Sequence, residues 1–185
     1  MHDETERLIL AAIPLGAPRV DALLDEVVAV LRAEGLILAG FLQERQPDGE
    51  VRIRDLATGG AQGITQRLGP GSRGCKLDPQ ALAGAAAGAL ATLGADPDLL
   101  VIPRFGKAEA EGHGLRAVIE RACERQIPVL VAVRQDSRPA WDDFTGGLAE
   151  ELPLDRGAVL DWCRTACRRS QKSNLTPCAS GSFAE

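Results

Sequence analysis

The chain has 185 residues, 45% of them hydrophobic and 25% charged, with a formal net charge of −5, which fits one globular domain large enough to bury a substantial core. Aromatic residues make up 3% and Tyr is absent, so a stacking platform for single strands has little to build on, and the acidic balance argues against a nucleic-acid partner. No apolar run approaches the roughly 18–20 residues that span a bilayer, and the acidic opening MHDETERLILAAI lacks a signal-peptide pattern, so a cytoplasmic location without membrane attachment is expected.

Arg7–Leu15 is an apolar run that reads as the first core strand, closed by a turn at Gly16-Ala17-Pro18-Arg19. Val20, Leu23, Leu24, Val27 and Leu31 recur at helical spacing. Asp21, Asp25 and Glu26 lie early in that helix, where the dipole favours them, and Gly35 is placed to cap it. A second strand follows over 36–42, completing a βαβ unit. Pro47-Asp48-Gly49 signals a turn, Val51–Arg54 alternates with period two, and Ile64–Leu68 follows a further glycine cluster. This predicts a half-exposed antiparallel hairpin over about 43–68, appended to the parallel strands.

Gly69–Cys75 is too rich in glycine for regular structure. Asp78 and Pro79 then supply an N-cap and a first helical residue for a helix of small residues over Gln80–Leu93. Leu99–Ile102 is an unbroken apolar strand of the kind a two-sided parallel sheet produces. The pattern predicts that it breaks at Pro103 into a polar loop carrying Arg104, Lys107, Glu109, Glu111 and His113. A helix over Leu115–Arg125, a strand over Pro128–Val133, and a loop or short helix at Asp142–Gly147 anchored by Trp141 and Phe144 come next. A helix over Asp155–Arg169 bearing Trp162 closes a single domain of residues 1–169, and 170–185 reads as a disordered tail. Strands near 8–15, 36–42, 98–102 and 128–133 alternating with helices predict a three-layer, mostly parallel α/β sheet with the hairpin at its side.

The cysteines Cys75, Cys123, Cys163, Cys167 and Cys178 are odd in number and irregularly spaced, unlike a secreted disulfide framework. Cys163 and Cys167 share one helical face; with Cys178 they could offer three soft ligands, against the simpler reading of buried thiols. Cys75, beside Lys76, reads either as a thiol of lowered pKa or as a structural cysteine.

A first strand running through a glycine into a helix invites comparison with the phosphate-binding P-loop, which needs a ring of backbone N–H groups, a Lys, and a hydroxyl for Mg²⁺. Pro14–Asp21 has one Gly, no Lys-Ser/Thr pair, a proline that deletes an N–H, and Asp21 directing negative charge toward a phosphate. The order of elements and the stretch LLVIPRFGKAEAEG nevertheless resemble the thermophile-type P-loop nucleoside-triphosphatases. Their later strand ends in a Walker B pattern, D-E-x-G-x-x-E. Laid on this sequence, the acidic pair falls at Pro103 and Arg104, the Gly at Gly106, and the second Glu at Glu109. More closely, over roughly Leu8–Leu148, the chain resembles a bacterial family of unknown function related to those enzymes and often encoded beside molybdate transport genes. Stretches similar to Gly69–Asp78 (GPGSRGCKLD) and Arg104–Gly114 (RFGKAEAEGHG) carry that likeness.

With the Walker residues absent, Mg²⁺ coordination and water activation are not provided for. What remains is a basic, glycine-rich cleft whose expected lining is Gly16, Arg19, Gly71, Ser72, Arg73, Gly74, Cys75, Lys76, Arg104, Gly106, Lys107, Glu109 and His113. Such a cleft suits a small anionic ligand: a nucleotide, phosphate or, as the resemblance implies, molybdate or tungstate, bound without hydrolysis. Two other readings stand beside it. One is a nucleotide phosphatase or phosphotransferase using Glu109, Glu111 or His113 as base. The other is a homo-oligomeric interaction module using the small-residue helix.

Overall fold

The computed structural model describes residues 9–16, 19–66 and 77–174. Among these, seven strands form one sheet. They are β1 (Leu10–Pro14), β2 (Leu38–Arg45), β3 (Val51–Asp55), β4 (Ala61–Gly63), β5 (Leu99–Phe105), β6 (Val129–Val133) and β7 (Glu150–Glu151), in the spatial order β4-β3-β2-β5-β6-β1-β7. From β2 to β7 every neighbour is parallel, and β3 and β4 add antiparallel at the β2 side. The fold class is the one the sequence predicts, and the parallel strands all finish at one edge of the sheet.

Helices cover both faces. On one side α1 (Arg19–Ala33) and α6 (Arg156–Asn174) seal a layer built on Ala11, Ile13, Leu42, Leu99, Val101 and Leu130. The other side carries α2 (Pro79–Thr92), α4 (Arg116–Glu124) and α5 (Arg138–Thr145). α1 buries Val20, Leu24, Val27, Val28 and Leu31, the apolar stripe its spacing predicts. It ends in a Schellman arrangement: Leu36 N–H donates to the Leu31 carbonyl (3.1 Å) and Gly35 N–H to Arg32 (2.9 Å), with Gly35 at φ 87°. At the head of α2, the Asp78 carboxylate accepts from the N–H groups of Gln80 (2.9 Å) and Ala81 (3.3 Å), so the Asp-Pro start signal operates as read.

Several expectations are corrected. β5 does not stop at Pro103. A register irregularity between Ile102 and Phe105 absorbs the missing proline N–H, and Phe105 rejoins the ladder opposite Val133. Burial draws the strand on: Phe105 meets Trp141 edge-to-face at 5.1 Å and stacks near Phe144 at 5.9 Å, contacts that add roughly 0.5–1.5 kcal/mol each beyond area burial. The segment after it is not all loop, because Lys107–Ala110 forms a helical turn, α3. The hairpin grows out of β2 itself, which leaves β5 after Gly40 and continues antiparallel to β3. Its third strand is Ala61–Gly63, earlier than the predicted 64–68. Of the loop or short helix expected over 142–147, the helix is found, but it starts earlier, at Arg138, and ends at Thr145 with Trp141 buried. α6 runs on to Asn174, beyond the predicted end at Arg169. β7, two exposed glutamates beside β1, has no strand-like pattern to announce it. No helix among the described residues is long and apolar enough to cross a membrane.

Candidate functional site

In a parallel α/β sheet, ligand sites form beyond the carboxyl ends of the strands. Three of those ends are stitched together here. Leu15 N–H, past β1, donates to Val133 of β6 (3.0 Å), and Arg134 N–H, past β6, donates to Phe105 of β5 (3.1 Å). The same edge collects arginines: Arg45 ends β2, Arg104 lies in the irregular end of β5, Arg134 follows β6, and Arg19 opens α1 just past β1. Gly106 lies between two of them, since a Cβ there would meet Arg134 Cδ at 3.4 Å and Arg104 Cγ at 3.7 Å.

The charges at this edge are incompletely matched. Arg134 makes a two-pronged pair with Asp136, at 2.9 and 2.7 Å, and the guanidinium holds the Asp136 carboxyl below its ordinary value. Arg19, Arg45 and Arg104 have no side-chain hydrogen bond or ion pair among the described residues. Arg104 is half-buried with its Nε enclosed and unpartnered. Burial pulls its pKa down; the nearby Asp21 and Glu109 oppose that pull, while Arg134 and Arg45 add to it. Asp21, in the first turn of α1, has an enclosed and unpartnered Oδ1. Burial raises its carboxyl, with Asp25 contributing, against the lowering influence of Arg104 and Arg45.

Other predicted residues take different parts. Glu109 is 5% exposed, and both carboxylate oxygens are engaged: Oε2 accepts from Gly106 N–H (2.9 Å) and Oε1 from Leu115 N–H (3.0 Å). It braces the turn that carries Arg104 toward α4. Gly16 and Gly106 do not offer free amides either, because Gly16 N–H donates to the Pro14 carbonyl (3.0 Å) and Gly106 N–H to Glu109. Lys107 points outward, 84% exposed, and pairs with Glu111 at 3.7 Å. His113 is exposed, and its N–H donates to the Ala108 carbonyl (2.8 Å).

Gly71, Ser72, Arg73, Gly74, Cys75 and Lys76 lie outside the described residues. Their flanks are placed: Thr65 bridges to Leu77, and Thr65 Oγ1 accepts from Val51 N–H (2.7 Å), with Val51 paired to Arg45. Cys163 and Cys167 share the buried face of α6, and burial pushes both thiols up to about 12; Cys178 lies outside the described residues.

Sequence reading missed Arg45 and Arg134. A signal was present: LQER, VIPR and VAVR each finish an apolar strand on arginine, which in a parallel sheet places the three together.

Comparison with known proteins agrees with the architecture. Residues 10–162 match the family described as Protein of unknown function (DUF2478). The Molybdenum import ATP-binding protein ModC 2 of Bradyrhizobium diazoefficiens is 35% identical over 158 residues, covering 83% of this chain and 18% of that protein, so the chain spans less than a fifth of this relative's length. The crystal structure of THEP1 from the hyperthermophile Aquifex aeolicus superposes with a TM-score of 0.57 at 15% identity, covering 82% of this chain and 94% of the other. The fold is thus similar to that of THEP1.

Proposed function

The chain belongs to the DUF2478 family of proteins of unknown function, and we propose that it binds a small anion at the arginine-lined strand ends without hydrolysing a nucleotide. The observation that carries this reading is Arg104, a half-buried guanidinium whose Nε is enclosed and has no partner. A fold does not leave such a group open without cost, and an oxyanion or the phosphate of a nucleotide supplies the missing acceptor with the planar fit guanidinium favours. Arg45 and Arg134 add positive potential around it. Arg73 and Lys76, which lie outside the described residues, belong to the sequence-based expectation alone.

Binding without turnover is supported by what surrounds that arginine. The first strand leads to Asp21 where a Mg²⁺-binding hydroxyl would be needed, and β5 ends in Pro103-Arg104 where a metal-binding acidic pair would be needed. Glu109, one of the bases a phosphatase would use, is committed to two backbone amides. The molybdenum-import name of the relative brings molybdate and tungstate into the ligand panel beside phosphate, ATP and GTP.

Calorimetric titration with that panel tests the reading. Saturable binding of at least one anion to the wild type, lost in Arg104→Met and retained in Arg121→Met, is the expected result; Arg121 is already paired with Glu124 at 2.9 Å. Absence of binding by every anion at millimolar concentration would overturn it.

A further inference from the structure

Resting on the anion site proposed above, we infer that Asp21 makes it selective for a tetrahedral oxyanion that carries a proton, of the hydrogen phosphate class, over fully ionised oxyanions such as sulfate, molybdate and tungstate. Two orphaned atoms of opposite character carry the argument. Arg104 Nε is an enclosed donor without a partner, and Asp21 Oδ1 is an enclosed acceptor without a partner. Each side chain is the other's strongest charged neighbour, yet they are not hydrogen-bonded to each other.

A ligand that satisfies both atoms must accept at one end and donate at the other. Hydrogen phosphate does this: an ionised oxygen faces Arg104 and the P–O–H donates to Asp21. Sulfate has the same tetrahedral shape and, at mildly alkaline pH, the same double negative charge, so the arginines alone cannot distinguish the two. Sulfate and molybdate have only lone pairs to set against Asp21, acceptor against acceptor. The other charged groups acting on Asp21 are Asp25 on its own helix, Arg45 from β2 and Arg104 from β5, with burial opposing ionisation. Among the described residues no cation pairs with the carboxylate, and its enclosed Oδ1 has no hydrogen-bond partner. This ordering runs against a preference for molybdate.

Titrations at mildly alkaline pH with phosphate, arsenate, sulfate and molybdate decide the matter. Phosphate and arsenate are expected to bind about tenfold to hundredfold more tightly than sulfate and molybdate, the penalty of leaving one buried charged acceptor unpaired. In Asp21→Asn an amide donor replaces the acceptor, and sulfate and molybdate should rise to within a fewfold of phosphate. Equal binding of phosphate and sulfate by the wild type overturns the inference, with no variant required. So does a common rise for all four anions in Asp21→Asn, which would make Asp21 a general negative charge. If no anion binds the wild type, the anion site itself fails and this selectivity falls with it.

Discussion

Asp98 and Asp21 sit at opposite ends of the parallel strands, and the fold treats them in opposite ways. Asp98, just before β5, accepts from Ile37 N–H (2.7 Å) and from Gln171 Nε2 (3.1 Å), and its carbonyl takes the Cys167 thiol at 3.3 Å. Nearby, Arg125 pairs with Asp96 and Arg164 with Glu34. At the far edge, Asp21 keeps an enclosed oxygen without a partner, and Arg19, Arg45 and Arg104 have no ion pair among the described residues. Where the strands begin, polar groups join α1, α6 and the sheet into one unit. Where they end, polar groups are enclosed without partners, which lowers stability, and this is the edge where the anion site is proposed.

The largest expected effect comes from removing the brace that keeps the open edge in shape. Glu109→Ala strands the buried N–H groups of Gly106 and Leu115, and should lower the unfolding free energy by about 2–5 kcal/mol, read from the denaturant midpoint at constant slope. Next is Arg104→Met. It should abolish anion binding while leaving stability unchanged or raised by about 1 kcal/mol, because a half-buried, uncompensated charge is replaced by an apolar chain of similar reach. The matched arginine makes the contrast: Arg125→Met should cost less than about 1 kcal/mol and leave binding intact. A fall in stability for Arg104→Met equal to that of Glu109→Ala would show that Arg104 is structural.

Acid–base behaviour should differ in sign between the edges. Asp21 is raised by burial, so its contribution to stability is complete below the ordinary carboxylate value, about 3.9, and is lost as pH rises through the raised folded value. Asp21→Asn should therefore be more stable than wild type at neutral pH and equal to it in acid, as denaturant unfolding at the two conditions would report. Glu34 is lowered by the hydrogen bond from Arg164, so its contribution is present above the ordinary value and is lost as pH falls through the lowered one. Arg164→Gln should remove only that small acid-side dependence, the smallest effect in the set.

Local signals in the sequence were reliable where the physics is local. The α1 stripe, the Gly35 terminus and the Asp78-Pro79 start each depend on residues within a few positions of one another, and each is found in place. Pro103 misled because a missing N–H argues for a strand end, whereas burial of Phe105 against Trp141, distant in the chain, carried β5 on. Arg104 and Gly106 were legible as site candidates from their position after an apolar strand. Glu109 was not legible as a brace, because Gly106 and Leu115 become its partners only when the turn folds around them.

By itself the sequence determined the parallel three-layer architecture and the order of its main strands and helices, since hydrophobic period and turn chemistry act over short stretches. Only the tertiary structure decided which charges are open. Arg45, Arg104 and Arg134 end strands far apart in the chain and meet because those strands lie parallel in the order β2-β5-β6. Whether a guanidinium or carboxylate finds a partner depends on through-space neighbours and on enclosure from water, and neither is written in the spacing of residues along the chain.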